Sequence, residues 1–565
     1  MSYQIKNIPF ELDLTSLDVN KLESLSSSTK QMTLWQEDRA FTLLAFYSKD
    51  KAGQLIDLKD FKVLDWQDKT LDKSSIDLSL NQILATAANP DSKGFAAEGT
   101  ALKASLDVIS HKSKLELKEE VTFASLQVNT KGKIKAGKYS LILFFENQKE
   151  EQKTLEFKLN ILDLKLDKKR FGLELWQYPS SLADYYKQDL FSQENLDALK
   201  SSLELYKSLG GDTIIAPIVE DPWDGQTYSS NQVHVPSMVT WHKTKTGFSY
   251  DFSHLKTWLS LATDIVKPER ITLYSICPWH GSIGYWNGSN RLVYQKFNLS
   301  KKDDQAIWQE FLLALMSFLE EHGWLEITYL GIDERGFDQE VMDFIYQTKN
   351  DKGQSLKISG SMDQLKTHKH LAEQIDLLSV SAVMATKEQV IFNQILTHRQ
   401  NQAKKTYLYS CTGQAPGQFS LSHPIESFWA ILDAKKRGAD GFLRWAFDAW
   451  VKEPLIETSH RLFEAGDCFL VFPDTKEAGI ETRWSLRLAY MDQALGLVNK
   501  LAYLKENMPM WAKEIDSLYQ EVRFKTRYNQ EDLYLSASEK KEIIKETKQF
   551  QDKAWLLMEK IADQV

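Results

Sequence analysis

Cysteine is scarce in this sequence: Cys277, Cys411 and Cys468 are far apart and odd in number among 565 residues. That pattern argues against a disulfide framework and favours a reduced, cytoplasmic setting. No apolar run approaches the ~18 residues of a membrane span. The opening Met1-Ser2-Tyr3-Gln4-Ile5-Lys6 has no basic stretch leading into an apolar one, so no secretory signal is expected. Positive charge is also in deficit, with 69 Lys and Arg against 78 Asp and Glu, a net charge of −9. With no basic stripe interleaved with aromatics, neither nucleic acid nor membrane is expected as a partner. The 11 histidines form no H-x-H or H-E-x-x-H grouping, so no metal and no cofactor is expected. Internal repeats and low-complexity segments are absent as well.

Hydrophobic content of 42% and charged content of 26% describe an ordinary globular chain with room for two or three domains. The 16 Trp, 21 Tyr and 28 Phe stand out. Packing accounts for most of them, but sugar faces also stack on indoles.

The order of elements suggests three parts. Residues 1–168 read as an all-β sandwich, with strands at 41–47 and 139–145 and a clean alternation of Leu155, Phe157, Leu159 and Ile161. The apolar parity then switches to Leu162, Leu164 and Leu166, which predicts a bulge or a change of partner. Residues 169–455 alternate short strands with helices. Strands are expected at 171–176, 212–217, 271–277, 325–330, 356–360, 375–380, 406–411 and 441–445, the count and size of a (β/α)8 barrel. A doubly wound sheet is the competitor, but no Gly-rich phosphate fingerprint follows the first strand. Ser192 and Gly210-Gly211 mark the start and stop of one helix. Long loops pass through Trp223, His234 and Trp241. Residues 456–565 hold a short β-like piece and a mainly helical extension. Ser536 and Glu539 there have capping-box spacing, ahead of an apolar stripe of Ile543, Thr547, Phe550, Ala554, Leu557 and Ile561.

At the end of the fourth strand stands Asp333-Glu334, between Gly331 and Gly336. Two carboxylates where a buried strand runs out must be solvated, paired or used. A capping or salt-bridged pair is the plain alternative, but strand ends are where barrels keep their chemistry. Both acids can share a pocket only if the chain leaves strand geometry at the pair, which the glycines permit. Held together they titrate as a pair, one ionised and one pushed towards the neutral acid, the division of labour that glycoside cleavage needs.

Other candidates for substrate contact end neighbouring strands: Trp176 and Gln177, Trp223 beyond Glu220-Asp221, Trp279 and His280, Tyr409, Trp445, Asp448 and Trp450. Any one indole taken alone reads as core packing rather than a sugar platform, but several at successive strand ends favour a stacking role for at least one. His280 is equally readable as a satisfied loop histidine, and Asp448 as a partner for Arg444. The seventh strand ends Tyr409-Ser410-Cys411-Thr412-Gly413, with no carboxylate where a two-carboxylate displacement commonly keeps its nucleophile. A nucleophile supplied by the substrate is then the better reading.

The Asp333-Glu334 pair, the run from Gly441 to Trp450, the run from Gly466 to Pro473, and Arg483-Trp484 together resemble glycoside hydrolase family 123. These are β-N-acetylgalactosaminidases carrying a DUF4091-type catalytic region. The likeness spans Phe171 to Trp484. It implies a retaining, substrate-assisted mechanism: Asp333 orients and charges the 2-acetamido group, whose oxygen attacks the anomeric carbon to give an oxazolinium ion. By the same resemblance, Glu334 protonates the leaving oxygen and then activates water. Arg335 departs from the pattern, since many relatives place Pro after the Glu, and the segment around Arg483 lacks the acidic residues usual further on. The expected activity is exo-acting hydrolysis of terminal β-linked GalNAc on a small glycan. A β-N-acetylglucosaminidase, differing at one hydroxyl, and a glycan-binding protein without turnover are the alternatives.

Overall fold

The computed structural model describes residues 3–25, 30–48, 53–91, 93–111, 114–117, 120–132, 134–227, 235–335, 338–474, 481–528 and 534–564. Gly336 and His234, both singled out by the sequence, lie outside them.

Eight parallel strands form the central sheet: β1 (Gly172–Leu175), β2 (Thr213–Pro217), β3 (Arg270–Tyr274), β4 (Thr328–Ile332), β5 (Lys357–Met362), β6 (Leu377–Ser381), β7 (Thr406–Tyr409) and β8 (Gly441–Arg444). They pair in the order β1-β8-β7-β6-β5-β4-β3-β2, with helices in the connections, which is a (β/α)8 barrel. The fourth strand begins later than the sequence suggests, because Leu325–Ile327 form a 3-10 turn ahead of it.

The barrel closes without a ladder between β1 and β2. Side chains fill that seam. The Tyr206 hydroxyl lies 2.9 Å from the carbonyls of Leu173 and Thr213 and accepts from the Thr213 N–H at 3.3 Å. Gln177 completes the stitch: its Oε1 accepts from the Ile215 N–H at 3.2 Å, and its Nε2 donates to the carbonyls of Leu175 and Thr213. Tyr206 reaches the seam from the helix Gln193–Leu209, whose ends follow the sequence signals. Ser192 caps the Asn195 N–H, and Gly210 ends the helix in the left-handed region with φ 84°.

A polar cluster plugs the bottom of the barrel. The Arg270 Nη2 lies 2.5 Å from Asp212 Oδ1 and 2.6 Å from the Tyr407 hydroxyl, which donates to Asp212 Oδ2 at 2.6 Å. A Cβ on Gly172 or Gly441 would collide with Tyr407, so those glycines clear its space. With the bottom closed, the open end lies at the strand C-termini, where Asp333 follows β4.

Before the barrel, two five-stranded sheets pack face to face, Phe46 of one meeting Phe145 of the other edge-on at 5.4 Å. The strand Gln152–Lys165 explains the parity switch. Its Leu155, Phe157, Leu159 and Ile161 belong to the core of the sandwich. Leu162 and Leu164 belong to the larger core that includes the barrel, and the register against Gln31–Gln36 shifts between Ile161 and Lys165. After the barrel, Val471–Phe472 pairs with Arg483–Trp484, and the helices Leu486–Asn507, Ala512–Gln520 and Ala537–Ala562 follow. The Ser536–Glu539 capping box is formed. The buried stripe of the last helix runs through Met558, with Leu557 only partly covered, a correction of one position arising from the 3.6-residue period. The region between β2 and β3, expected as loop, contains the hairpin Thr240–Lys243 and Phe248–Asp251. The strands Ser282–Trp286 and Leu292–Lys296, which follow β3, extend it into a four-stranded sheet.

Candidate active site

β4 ends at Ile332, and the chain turns sharply at the next two residues. Glu334 has φ 39°, in the left-handed region that glycine normally serves, and its N–H donates to the Ser361 carbonyl of β5 at 3.2 Å. The departure from strand geometry thus falls on the acid itself. Gly331 serves packing instead. A Cβ there would lie 2.7 Å from the Tyr274 ring, so its absence lets that ring pack against the strand. The turn brings both carboxyl groups into one cavity of about 190 Å³.

Each acid is held by an aromatic donor. The Trp279 indole N–H donates to Asp333 Oδ2 at 3.2 Å, and the Tyr409 hydroxyl donates to Glu334 Oε1 in a short contact. Burial raises the Asp333 carboxyl to about 6, against the lowering effect of Trp279 and the nearby Trp223 N–H. Burial and then the charge of Asp333 raise Glu334 to about 7, with Tyr409 opposing. Glu334 is the acid that keeps its proton longer. The Arg335 guanidinium lies 4.8 Å from the centre of the Trp279 ring, and its charge adds to the influences that lower Asp333.

The cavity wall is aromatic. Trp176, Trp223, Trp279, Tyr409 and Trp445, all singled out by the sequence, line it together with Phe463. Behind them Tyr274 packs 4.5 Å from Trp176, and Trp445 meets Phe463 edge-on at 5.4 Å. The indole nitrogens of Trp223 and Trp445 make no regular hydrogen bond among the described residues.

Four expected contacts are placed elsewhere. Gln177 is spent on the barrel seam. His280 lies outside the cavity lining: its Nε2 lies 2.8 Å from the Glu220 carbonyl, and its Nδ1 accepts from the Ser282 N–H at 3.1 Å. Asp448 is buried and accepts from the Tyr178 N–H at 2.7 Å and the Ser202 hydroxyl at 2.9 Å, while Arg444 pairs with Asp467. Trp450 is buried, with its N–H on the Val471 carbonyl at 2.8 Å. None of the four is among the described residues that line the cavity, and in sequence they look like site residues because all follow strand ends.

The family model described as Glycoside hydrolase 123, catalytic domain, matches residues 176–504. This chain belongs to glycoside hydrolase family 123. A family 123 glycoside hydrolase from Clostridium perfringens, whose structure was analysed for the details of glycolipid glycan hydrolysis, is similar over 100% of this chain and 99% of its own. Its TM-score is 0.90 and its sequence identity 25%. A Clostridium thermocellum endo-1,4-β-D-xylanase 10B aligns over 81% of this chain and 89% of its own at 7% identity, with a TM-score of 0.31, too low to bear on fold or function. No curated protein matches the sequence.

The family 123 cavity also contains the Ser410-Cys411-Thr412 stretch that ends β7, and four residues that the sequence did not single out: Gln226, Ser361, Leu443 and Phe463. Phe463 and Gln226 come from long loops without a local signal. Ser361 and Leu443 were recoverable in principle, since they lie at strand ends. Among the described residues, no group of three or more His, Cys, Asp or Glu could hold a metal ion, and no helix is long and apolar enough to cross a membrane.

Proposed function

We propose that this family 123 glycosidase is an exo-acting, retaining β-N-acetylgalactosaminidase that works by substrate assistance. The observation behind it is the carboxylate content of the cavity. Among the described lining residues, Asp333 and Glu334 are the two carboxylates, and they are adjacent in the chain. A retaining double displacement needs carboxyl groups flanking the bond from opposite sides, roughly 5–5.5 Å apart. Neighbours on one turn do not flank it, and β7 brings Ser410, Cys411 and Thr412 to the wall in place of an acid. The nucleophile then comes from the 2-acetamido oxygen of the sugar.

The two environments fit the two roles. Glu334, raised to about 7, keeps a protonated fraction at neutral pH, and that form gives its proton to the leaving oxygen. Asp333, anionic beside the Trp279 N–H, orients the acetamido N–H and offsets the charge of the oxazolinium ion. Once Glu334 is deprotonated, the Tyr409 hydroxyl stabilises its anion, and it takes a proton from the incoming water. A cavity of about 190 Å³ suits one sugar ring and falls below the roughly 300–1,000 Å³ of pockets that enclose larger ligands, which supports exo action. A terminal β-GalNAc on a small glycan, of glycolipid origin by analogy with the Clostridium perfringens relative, is the proposed substrate, and the cytoplasm the proposed location.

Chromogenic β-GalNAc, β-GlcNAc and β-galactoside substrates test the reading together. The first should be cleaved, the second poorly or not at all, and the third should be inert for want of a nucleophile. Comparable turnover of the plain galactoside, or a covalent adduct trapped on a side chain by a 2-fluoro sugar, contradicts substrate assistance. Preference for β-GlcNAc keeps the mechanism and changes the sugar, and silence towards all three points to a glycan-binding protein.

A further inference from the structure

A second polar cavity, of about 210 Å³, lies where the N-terminal sheets, the loop after β7 and the C-terminal helices meet. Ser420, Ser422, His423 and Arg487 line it, and each is more than nine-tenths buried. The Ser420 and Ser422 hydroxyls, His423 Nε2 and Arg487 Nη2 all lack a hydrogen-bond partner among the described residues. Four orphans in one place are unusual, because buried polar atoms are nearly always paired.

All four can donate. His423 Nδ1 accepts the Ile425 N–H at 3.1 Å, so the neutral ring carries its proton on Nε2. Burial keeps that ring neutral by lowering its pKa to about 4. The other nitrogens of Arg487 are committed. Nε donates to Asp107 Oδ2 at 2.8 Å and Nη1 to the carbonyls of Gln418 at 2.5 Å and Gly466 at 2.8 Å, which leaves Nη2. Gly466, at φ 75°, leaves room for two of these groups: a Cβ there would run into the Ser420 hydroxyl and come within 3.2 Å of Arg487 Nη2.

The charge of the wall has the same sense. Lys103, Arg487 and Lys540 face Asp13 and Asp107 across it. Both carboxylates are already engaged, Asp107 by Arg487 and Asp13 by the Thr15 N–H at 3.0 Å and hydroxyl at 2.7 Å. Two helices begin at this wall, Ile425–Lys436 and Leu486–Asn507, and helix N-termini favour anions. By contrast, the larger cavity of about 520 Å³ around Arg39 and Lys500 has those cations paired with Asp492 and Asp38.

We propose that the cavity lined by Ser420, Ser422, His423 and Arg487 binds a tetrahedral oxyanion, a phosphate or sulfate group, which braces the loop after β7 against the N-terminal sheets. Such an ion presents acceptors in several directions at once, as the four orphan donors require. The same loop carries Ser410, Cys411 and Thr412 in the catalytic wall, so an occupied site fixes that loop at its far end.

The test is calorimetric titration of anion-free protein with inorganic phosphate and with inorganic sulfate, against chloride at matched ionic strength, alongside thermal unfolding. Saturable binding by the millimolar range and a rise in Tm with concentration are expected. A hexose 6-phosphate forms the third arm: equal binding assigns the site to an ester-borne group, and weaker binding to the free ion. Ser422→Ala with His423→Asn, which retains an acceptor for the Ile425 N–H, should weaken binding by about tenfold or more. Should that double variant not fold, Lys540→Met gives a smaller loss, greatest at low salt. Glycosidase activity of the variants in anion-free buffer should match the parent. No saturable binding beyond chloride, or unchanged affinity in the folded variants, overturns the proposal.

Discussion

At the scale of single residues, the acid pair makes opposite demands on two substitutions. Asp333→Asn removes the charge that helps raise Glu334. Beyond a fall in kcat of about 10²–10³-fold from the lost electrostatic stabilisation, the residual activity should lose its alkaline limb at lower pH than the parent. Tyr409→Phe removes the donor that stabilises the Glu334 anion, so the acid form persists and the alkaline limb should move to higher pH. Profiles of kcat/KM against pH for both variants check this, and limbs moving the same way would separate Glu334 from the acid role. The pair itself was legible from sequence, because a strand-end Asp-Glu stands out chemically. The fate of Gln177 and Asp448 was not. Their partners, Thr213, Ile215 and Ser202, lie 36, 38 and 246 residues away, so nothing in the local spacing distinguishes a stitch from a sugar contact.

At the scale of elements, the weak point is the seam between β1 and β2. One phenolic oxygen there serves the carbonyls of Leu173 and Thr213 and the Thr213 N–H. Tyr206→Phe keeps the ring, takes that acceptor from the Thr213 N–H and leaves the two carbonyls with Asp212 N–H and Gln177 Nε2 alone, at a cost of about 1–3 kcal/mol in unfolding free energy. Denaturant melts of parent and variant measure it, and a change below ~0.5 kcal/mol would show that the strands pair directly once the hydroxyl is gone. The eight strands themselves were visible in sequence through short β-branched runs between helical periods, and Ser192 and Gly210 through their capping chemistry. The four-stranded insertion around the β3 end was not, because its strands are only 4–5 residues long and gain their order from each other.

For the whole molecule, the strand Gln152–Lys165 decides how the parts hold together. One end packs within the sandwich, and its Leu162 and Leu164 pack into the core that holds the barrel. The buried Arg487–Asp107 ion pair ties the first C-terminal helix to the N-terminal sheets as well. Calorimetry of the intact chain should therefore show one unfolding transition, and residues 169–565 expressed alone should be insoluble or molten. Two resolved transitions, or a folded and active fragment, would argue for independent domains. A wall common to two interiors also bears on descent. A sandwich that shares its last strand in this way is expected to travel with its barrel, not to be traded between enzymes as a loose attachment.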